Sequence, residues 1–459
     1  MPTVVRMTDL GLIALGDLDA AFANCAGATR SRRQYIADAT ALAERLPSAG
    51  AMLNLSVDRY RFAVGLGAAL LRGHTSLLPP NHVAETVARL REHFAGVYAL
   101  VEGSGDDHRL PTVRHAFAPA RAAGITAIPA IGRDLIAAYV LTSGSTGAPV
   151  PHAKPWGLLV RNARAEASRL AATLGRIDLG GVTVVATVPP QHMYGFESSV
   201  LIALHGGAVL DAERPFFPAD IVAALAQVAA PRVLVTTPFH LKTVLDAGLS
   251  LPPLALVVSA TAPLSPQLAA RAEQQLGAPL LEIYGCTEAG QVATRRTTAG
   301  AEWRTFDGVR VDGDGAATTV SGGHVPQPTV LADVLDVVDA ETFRLLGRSN
   351  DLINVAGKRS SIGHLDFHLN SIEGVVDGAF WMPPESDGDA AGVVRLVAFV
   401  VAPAVGRERI VAALRDRVDA AFLPRRIVHV DALPREATGK LTRARLGEFA
   451  ARQLAGGQR

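Results

Sequence analysis

The sequence VLVTTPFHLKTVLDAGLSLPPLALVVSA, residues 233–260, contains the pattern from which the fold class can be predicted. The run 233–236 predicts a buried strand, residues 238–247 have the apolar spacing of a helix, and 254–259 predicts a second strand. A strand, a helix and a strand in succession form a βαβ unit, whose two strands lie parallel in one sheet. We therefore predict an α/β fold with a parallel sheet.

The same alternation continues on both sides of this segment. A strand at 182–188 and a helix at 221–228 precede it, while a helix at 266–276 and a strand at 280–284 follow it. These elements extend the βαβ series, so one large sheet is expected here.

The second half of the chain changes character twice. Residues 295–339 are rich in Thr, Gly and short strands, which predicts a small β subdomain. Farther on, a strand at 393–401, a helix at 408–422 and a strand at 427–430 predict a separate α+β unit. We expect a large domain at 1–348 and a smaller, mobile domain at 349–459.

Composition limits the classes of protein that remain. The chain has 459 residues, of which 49% are apolar and 19% charged, so it can bury a large core and is not a disordered or collagen-like chain. Its 44 Lys and Arg nearly balance 43 Asp and Glu, and the formal net charge is +1. Such a balance argues against nucleic acid or an anionic membrane as the main partner.

Cysteine content and apolar runs indicate the compartment. Only Cys25 and Cys286 occur, which excludes a disulfide scaffold and favours a reducing compartment, with the cytoplasm as the expectation. The N-terminal segment carries Asp9 and Asp17 within its apolar part, unlike a signal peptide. The uncharged stretch 247–270 contains four prolines that interrupt a helix, so we do not expect it to insert into a membrane.

Two segments carry residues suited to phosphate and metal binding. Residues 141–149, LTSGSTGAP, interleave hydroxyl residues with glycines, which lets the backbone approach a phosphate closely. Residues 282–290, EIYGCTEAG, place an aromatic ring, a hydroxyl and a carboxylate at the end of a strand. A carboxylate there can hold Mg²⁺ together with phosphate oxygens. Each segment alone also fits an ordinary surface turn.

Two more segments and their order settle the interpretation. They are FRLLGRSNDLINVAGKR at 343–359 and LPREATGKLTR at 433–443, and each by itself resembles a basic turn. Taken in this order, the four segments resemble the adenylate-forming superfamily of acyl-CoA synthetases, peptide-synthetase adenylation domains and luciferases. By contrast, Gly65-Leu66-Gly67 lacks the third glycine of a dinucleotide site and predicts a packed helix.

The resemblance implies an ATP site. The phosphate loop of the family matches Thr142, Ser143, Gly144, Ser145, Thr146 and Gly147. Tyr284-Gly285 implies adenine stacking, Thr287 an α-phosphate contact and Glu288 the Mg²⁺ ligand. The ribose-binding aspartate of the family lies fifteen residues before the arginine of a Gly-Arg pair, and Asp333 has this spacing from Arg348.

The resemblance also implies the catalytic group. The late lysine of the family matches Lys440, where a cation offsets the repulsion between an attacking carboxylate and the α-phosphate. The hinge about which the family's C-terminal domain turns corresponds to Asn350, where the family usually has an acid. Family members commonly carry Pro-Lys-Gly after the phosphate loop, whereas this chain has Val150 and its nearest lysine is Lys154. Lys154 is a candidate substitute for that missing cation.

The acid substrate is inferred from the segment QHMYG at 191–195. By resemblance, His192 lies near the acyl carboxylate and shapes the entry of acid and thiol, while Tyr194 occupies a position that is also tyrosine in members using phenolic acids. The same pocket is expected to include Gly195, Ser259, Ala260 and Thr261. The chain most resembles the ligases of aryl-polyene or xanthomonadin-type pigment pathways.

These inferences predict an AMP-forming acid–thiol ligase. ATP and an aryl acid such as a hydroxybenzoate give an acyl-adenylate, and the acyl group then passes to CoA or to a separate acyl carrier protein. Two alternatives remain at this point: a synthetase for fatty or other acids, and an inactive nucleotide-binding member. Val150 and Asn350 motivate the second alternative.

Overall fold

The computed structural model describes residues 9–103, 110–115, 117, 119–143, 149–313, 317–348, 352–355, 358–383, 395–435 and 441–455. Strands of the first part are β1 Asp9–Gly11, β2 Ala21–Cys25, β3 Ala28–Ser31, β4 Ala51–Asn54, β5 Thr75–Leu78, β6 Val97–Val101, β7 Thr112–Arg114, β8 Ala130–Gly132, β9 Ile136–Ser143 and β10 Pro149–Pro155. Those of the middle part are β11 Thr183–Ala186, β12 Val209–Asp211, β13 Arg232–Thr236, β14 Leu256–Ser259, β15 Leu280–Cys286, β16 Gly290–Arg295, β17 Glu302–Thr305, β18 Val309–Gly313, β19 Thr318–Gly322, β20 Val325–Leu331, β21 Asp333–Asp339 and β22 Thr342–Arg348. The last are β23 Leu352–Val355, β24 Lys358–Ser361, β25 Asp377–Trp381, β26 Val397–Val401 and β27 Arg426–His429.

Helices alternate with these strands. They are α1 Arg32–Ala43, α2 Arg59–Arg72, α3 Ala84–His93, α4 Trp156–Thr173, α5 Met193–Gly195, α6 Ile202–His205, α7 Pro218–Gln227, α8 Pro238–Asp246, α9 Pro266–Leu276, α10 Ile362–Asn370, α11 Arg407–Arg415 and α12 Arg443–Ala455. A π-helical segment, Phe196–Leu201, joins α5 to α6, and 3-10 turns lie at Pro119–Gly124 and Ala420–Phe422. Among the residues described, no helix is both long enough and apolar enough to cross a membrane.

The largest sheet contains the predicted βαβ series. Its strand order is β21-β22-β17-β16-β15-β14-β13-β11-β12-β2-β3. The central strands from β15 to β2 run parallel, and antiparallel strands flank them on both sides. Both faces of the parallel part are covered, because alternate residues of β13 and β14 belong to two separate apolar cores.

A second large sheet precedes it in the chain. Its order is β10-β9-β5-β4-β6-β7, parallel except for the edge strand β10. The helix α2 packs nearby and contains Gly65 and Gly67, as predicted. A Cβ at Gly67 would lie 2.4 Å from the hydroxyl oxygen of Tyr35, so glycine permits the close approach of α1 and α2.

Arg59, the first residue of α2, ties this region to the largest sheet. Its side chain is fully buried, and it donates to the carbonyl oxygens of Ala186 (3.0 Å) and Val188 (2.8 Å) at the end of β11. Its other donors reach the carbonyls of Asp211 and Glu213 and the hydroxyl of Ser199. All five N–H groups of a guanidinium are thereby used.

Two smaller units lie beside the large sheets. Strands β18-β19-β20 form the β subdomain. After β22, the sheet β25-β26-β27 packs with α10 to α12 around cores of its own. The predicted single helix at 408–422 is wrong in its second half: α11 ends at Arg415, and the Asp419 side chain then caps a 3-10 turn through the N–H of Ala421 at 3.0 Å. Such local capping competes with helix continuation.

Candidate active site

The candidate site lies where the central parallel strands end. Ligands of open α/β sheets bind outside the carboxyl ends of the strands, since loops from neighbouring strands meet there. The ends of β11, β14 and β15 and the loops that follow them occupy this edge, and they include the residues predicted to bind adenine, the α-phosphate, the metal ion and the acid. The site is therefore built from segments that are distant in sequence.

Tyr284 and Asp333 are brought into contact. The Tyr284 hydroxyl donates to Oδ2 of Asp333 at 2.7 Å, although the two residues are 49 positions apart. The Tyr284 ring is largely buried and packs edge-on against Phe343, with centroids 5.5 Å apart. Asp333 pairs in register with Arg348 across β21 and β22, so the predicted spacing of fifteen places the two residues opposite each other. The Arg348 side chain lies outside the described part of the structure.

Thr287 and Glu288 form the turn between β15 and β16. The strands pair from Cys286 opposite Gly290, which leaves three residues in the loop, and Gly290 adopts the left-handed φ of +80°. This is the geometry of a three-residue hairpin turn. Gly285 lies just before it, where a Cβ would approach the Gly290 carbonyl oxygen to 2.5 Å.

Glu288 fits the donor set that Mg²⁺ requires. Its carboxylate is about half exposed, at 47%, and Oε1 lies 3.9 Å from Nε2 of His152. Burial lowers the pKa of His152, aided by Lys154, while Glu288 acts in the opposite direction. Mg²⁺ commonly takes one or two protein carboxylates together with substrate phosphates. Within the described ranges, no group of three or more acidic, His or Cys side chains is arranged to hold a metal by itself.

Lys154 does not occupy an exposed position beside the phosphate loop. Its side chain is only 8% exposed, and Nζ donates to the carbonyl oxygens of Thr287 and Glu288. Val150, at the usual lysine position, is 46% exposed. The lysine is thus engaged with the turn that carries Glu288.

The phosphate-loop residues lie at the junction of β9 and β10. Thr142 pairs with Val150 and Ser143 with Pro149, so the two strands bracket the loop. Gly144, Ser145, Thr146 and Gly147 lie outside the described residues, as do Asn350 and Lys440. The structure therefore places the frame of the loop and leaves the roles of these residues as predictions.

His192 and Tyr194 follow β11. His192 is exposed and caps α5, with Nδ1 accepting from the Tyr194 N–H at 3.3 Å. Tyr194 is buried, and its hydroxyl donates to the Val258 carbonyl at 3.0 Å, so it packs against the end of β14. Burial raises the pKa of Tyr194 well above its usual value, which keeps the phenol neutral. A Cβ at Gly195 would lie 2.0 Å from the Pro189 carbonyl oxygen, so glycine is required there.

The predicted pocket residues after β14 separate onto two faces. Val258 and Ala260 belong to the core that includes Tyr194 and Tyr284, whereas Ser259 alternates to the opposite face with Val257. Ser259 is fully buried and lies beside Thr236 in register. The structure thus does not bring the Ser259 side chain together with Tyr194.

Thr261 has a conformation that marks this edge of the sheet. It is exposed and adopts a φ of +80°, which is an outlier for a β-branched residue. Such strain costs about 1–3 kcal/mol and is concentrated at functional sites. Its place two residues after the end of β14 supports the predicted use of this loop.

A buried polar cluster that was not predicted from the sequence lies beneath the Thr287–Glu288 turn. Glu166 is fully buried and Glu197 is 3% exposed, and Asn162 Nδ2 donates to Glu197 Oε1. Burial raises the pKa of Glu166 to about 7 and that of Glu197 to about 8, with Lys154 opposing the shift at Glu197. The available signal was the spacing of Asn162 and Glu166, four apart within the apolar stripe of α4.

Comparison with known proteins identifies relatives of this arrangement. A family model described as AMP-binding enzyme matches residues 103–349. A 4-coumarate–CoA ligase from Rhodobacter capsulatus is 31% identical over 308 residues, covering 65% of this chain and 73% of the relative. A 4-coumarate–CoA ligase from Halorhodospira halophila is 30% identical over 314 residues, with 65% and 73% covered. ATP-bound MatB from Rhodopseudomonas palustris superposes with a TM-score of 0.76 at 18% identity, covering 95% of this chain and 97% of MatB. This likeness confirms the predicted α/β fold with a large N-terminal and a smaller C-terminal domain.

Proposed function

This chain belongs to the AMP-binding enzyme family of adenylate-forming acid–CoA ligases, and on that premise we propose that it is an ATP-dependent ligase for an aryl acid such as a hydroxybenzoate. The observation that carries the proposal is the convergence of Tyr284, Asp333 and the Thr287–Glu288 turn at one edge of the sheet. These residues supply an aromatic ring, two hydroxyls and two carboxylates in one place. Such a set can bind a nucleotide and its metal ion.

The nucleotide roles follow from that geometry. We assign adenine stacking to Tyr284-Gly285 and the ribose hydroxyls to Asp333, whose orientation the Tyr284 hydroxyl supports. Thr287 contacts the α-phosphate and Glu288 holds Mg²⁺, which neutralises phosphate charge when bound. The remaining assigned residues are Thr142, Ser143, Gly144, Ser145, Thr146, Gly147 and Arg348.

The first half-reaction joins two anions. A carboxylate oxygen of the acid forms a bond to the α-phosphorus of ATP, the bond between the α-phosphorus and the bridging oxygen breaks, and pyrophosphate leaves. We assign Lys440 as the cation that bridges both reactants, because offsetting their repulsion aligns the attack. This step leaves an acyl-adenylate.

The second half-reaction consumes the acyl-adenylate. A thiol sulfur attacks the acyl carbon, AMP leaves, and the thiol proton is released as the thioester forms. We propose that the domain at 349–459 rotates about Asn350 relative to the domain at 1–348, withdrawing Lys440 and opening a thiol path that His192 shapes. The exposed position of His192 next to α5 is compatible with that role.

The acid specificity rests on Tyr194 and on the relatives. Tyr194 is buried with its hydroxyl held at 3.0 Å from the Val258 carbonyl, so its ring is a fixed wall rather than a mobile side chain. We assign Gly195, Ala260 and Thr261 to the same pocket, whereas the Ser259 side chain lies on the opposite face of the sheet. The matched relatives from Rhodobacter capsulatus and Halorhodospira halophila act on 4-coumarate, a phenolic acid. We extend the proposal to a pigment pathway of the aryl-polyene or xanthomonadin type.

The acceptor is CoA or the phosphopantetheine arm of a separate acyl carrier protein. Both present the same thiol on the same arm, so the acyl-transfer chemistry is shared.

Two free thiols, Cys25 and Cys286, favour a reducing compartment such as the cytoplasm.

Acid-dependent ATP–pyrophosphate exchange tests the substrate class. We expect exchange with hydroxybenzoates and 4-coumarate, and little exchange with straight-chain acids of six to sixteen carbons. Adenylation of only the alkyl acids would refute the aryl assignment. The same purified protein, incubated with CoA or with holo-carrier protein, then identifies the acceptor from the thioester formed.

Lys440→Ala tests the catalytic assignment. We expect the exchange rate to fall by about 100-fold or more, because an electrostatic contact made at the reacting centre is lost. Lys242→Ala removes an exposed lysine that pairs with Asp246 and serves as the matched control. An unchanged exchange rate in Lys440→Ala would show that another group provides the cation.

A further inference from the structure

Lys154 lies beneath the turn that carries the proposed magnesium ligand. It is the penultimate residue of the edge strand β10, two residues before α4 begins at Trp156. Nζ donates to the carbonyl oxygen of Thr287, and at 3.3 Å to that of Glu288. Two consecutive peptide groups of the turn therefore point toward one buried cation.

This arrangement fixes the direction of the turn. With both carbonyls turned toward Nζ on the buried side, the Glu288 side chain is left on the outer side. The exposures agree with this: the Glu288 side chain is 47% exposed, Thr287 is partly exposed, and Lys154 as a residue is 8% exposed. An ammonium group provides three donors that can serve neighbouring acceptors at once.

The far end of the turn rests on buried polar groups as well. Gly290, at φ +80°, lies so close to Glu197 that a Cβ would approach Oε1 to 3.2 Å. The next residue, Gln291, donates through Nε2 to the Ser198 hydroxyl at 2.9 Å, and its carbonyl pairs with Nε2 of His324 at 2.6 Å. The turn is thus held at both ends from inside the protein.

The lysine at this site occupies a different position in the chain from the lysine that the family resemblance predicts. That resemblance puts a lysine at Val150, which is exposed here at the edge of the phosphate loop. Lys154 directs two of its donors to turn carbonyls and is enclosed by protein. From this position Lys154 can support the turn from its buried side.

We propose that Lys154 is a positioning residue for MgATP, which holds the Thr287–Glu288 turn in the conformation that presents a hydroxyl to the α-phosphate and a carboxylate to Mg²⁺. The inference rests on the proposed nucleotide site and adds to it the group that orients its turn. It gives the lysine of this segment a role different from the phosphate contact that the family resemblance places at position 150.

Direct nucleotide binding tests this role without any need to know the acid. Calorimetric titration of wild type, Lys154→Met, Lys154→Arg and the surface control Lys242→Met with ATP, each with and without Mg²⁺, measures the metal-dependent part of the affinity. For Lys154→Met we expect the affinity for MgATP to fall about tenfold or more, because two charge-assisted hydrogen bonds to the turn are lost. Lys154→Arg retains donors and should recover part of that loss.

Exchange kinetics provide a second readout that a general loss of stability would not produce. The KM for MgATP should rise in Lys154→Met, while the KM for the acid stays within about twofold of wild type because the acid pocket lies after β11 and β14. Gly290→Ala disturbs the other end of the same turn and leaves Lys154 intact, so it should produce the same selective rise. This variant keeps the test decisive if Lys154→Met does not fold.

The outcomes separate two different failures. A wild-type protein that neither binds MgATP nor exchanges pyrophosphate with any acid would overturn the proposed site. A different result would be that wild type binds MgATP and exchanges pyrophosphate normally, while Lys154→Met or Gly290→Ala binds MgATP with the same affinity as wild type. That result would overturn the role of Lys154 and leave the proposed function in place.

Discussion

Glu166→Gln should remove a pH dependence of stability that this buried acid imposes. Glu166 lies in α4 and is fully buried, and burial raises the pKa of its carboxyl from 4.5 to about 7. Glutamine has nearly the same shape and carries no titratable proton. The substitution therefore isolates the ionisation from the packing.

The magnitude follows from proton linkage. In the folded state the carboxyl keeps its proton up to about pH 7, whereas in the unfolded chain it loses the proton above pH 4.5. Its contribution to stability is therefore fully present below pH 4.5 and is lost as the pH rises through 7. The gap between the two pKa values corresponds to about 3 kcal/mol.

Urea unfolding at pH 5 and pH 8 measures the effect. Trp156 begins the same helix and is fully buried, so its fluorescence reports unfolding around Glu166. Relative to wild type, the free energy of unfolding of Glu166→Gln should increase by up to about 3 kcal/mol between these pH values. Glu85→Gln removes an exposed acid paired with Arg89 and should follow the wild-type pH profile. Parallel profiles for wild type and Glu166→Gln would refute the reasoning.

Four further outcomes are expected. Arg59→Lys keeps the charge but loses the five-donor fork, so urea titration should show a free energy of unfolding lower by about 2–4 kcal/mol. Tyr284→Phe removes the 2.7 Å hydrogen bond to Asp333, and steady-state kinetics should give a KM for ATP about three- to tenfold higher; an unchanged KM would count against the ribose assignment. Gly195→Ala places a Cβ 2.0 Å from the Pro189 carbonyl oxygen and should lower the melting temperature, with a cost of about 1–3 kcal/mol. Chelation by EDTA should stop pyrophosphate exchange, and added Mg²⁺ should restore it; persistence of exchange would contradict the metal role of Glu288.

Much of the fold was predictable because it depends on local periodicity. The helix predicted at 266–276 is observed with those bounds as α9, and the strand predicted at 254–259 is observed as β14, Leu256–Ser259. Apolar spacing distinguishes a helix from a strand over a few residues, so these elements are visible in sequence. The helix predicted at 408–422 was partly wrong, because α11 ends at Arg415 and Asp419 then begins a separate 3-10 turn although the apolar spacing continues.

The site was predictable in part, and for a different reason. Tyr284, Thr287 and Glu288 were predicted as site residues from the order of four short motifs, and Asp333 from its spacing to Arg348. The structure brings these four residues to one sheet edge. The contact between the Tyr284 hydroxyl and Asp333 was not predicted, since 49 residues separate them and only strand pairing closes that distance.

Periodicity and short residue patterns were sufficient to predict the α/β class, the succession of βαβ units and the family that the motifs resemble. Which charged residues are buried is visible only in the folded chain, because Arg59, Lys154, Glu166 and Glu197 appear in sequence as ordinary charges beside apolar residues. Burial depends on which distant segments fold over a side chain. For Arg59 and Lys154 most of the partners are backbone carbonyl oxygens, and no residue type encodes where these will lie. For that reason the support beneath the Thr287–Glu288 turn became visible only when β10 and the β15–β16 turn were placed side by side.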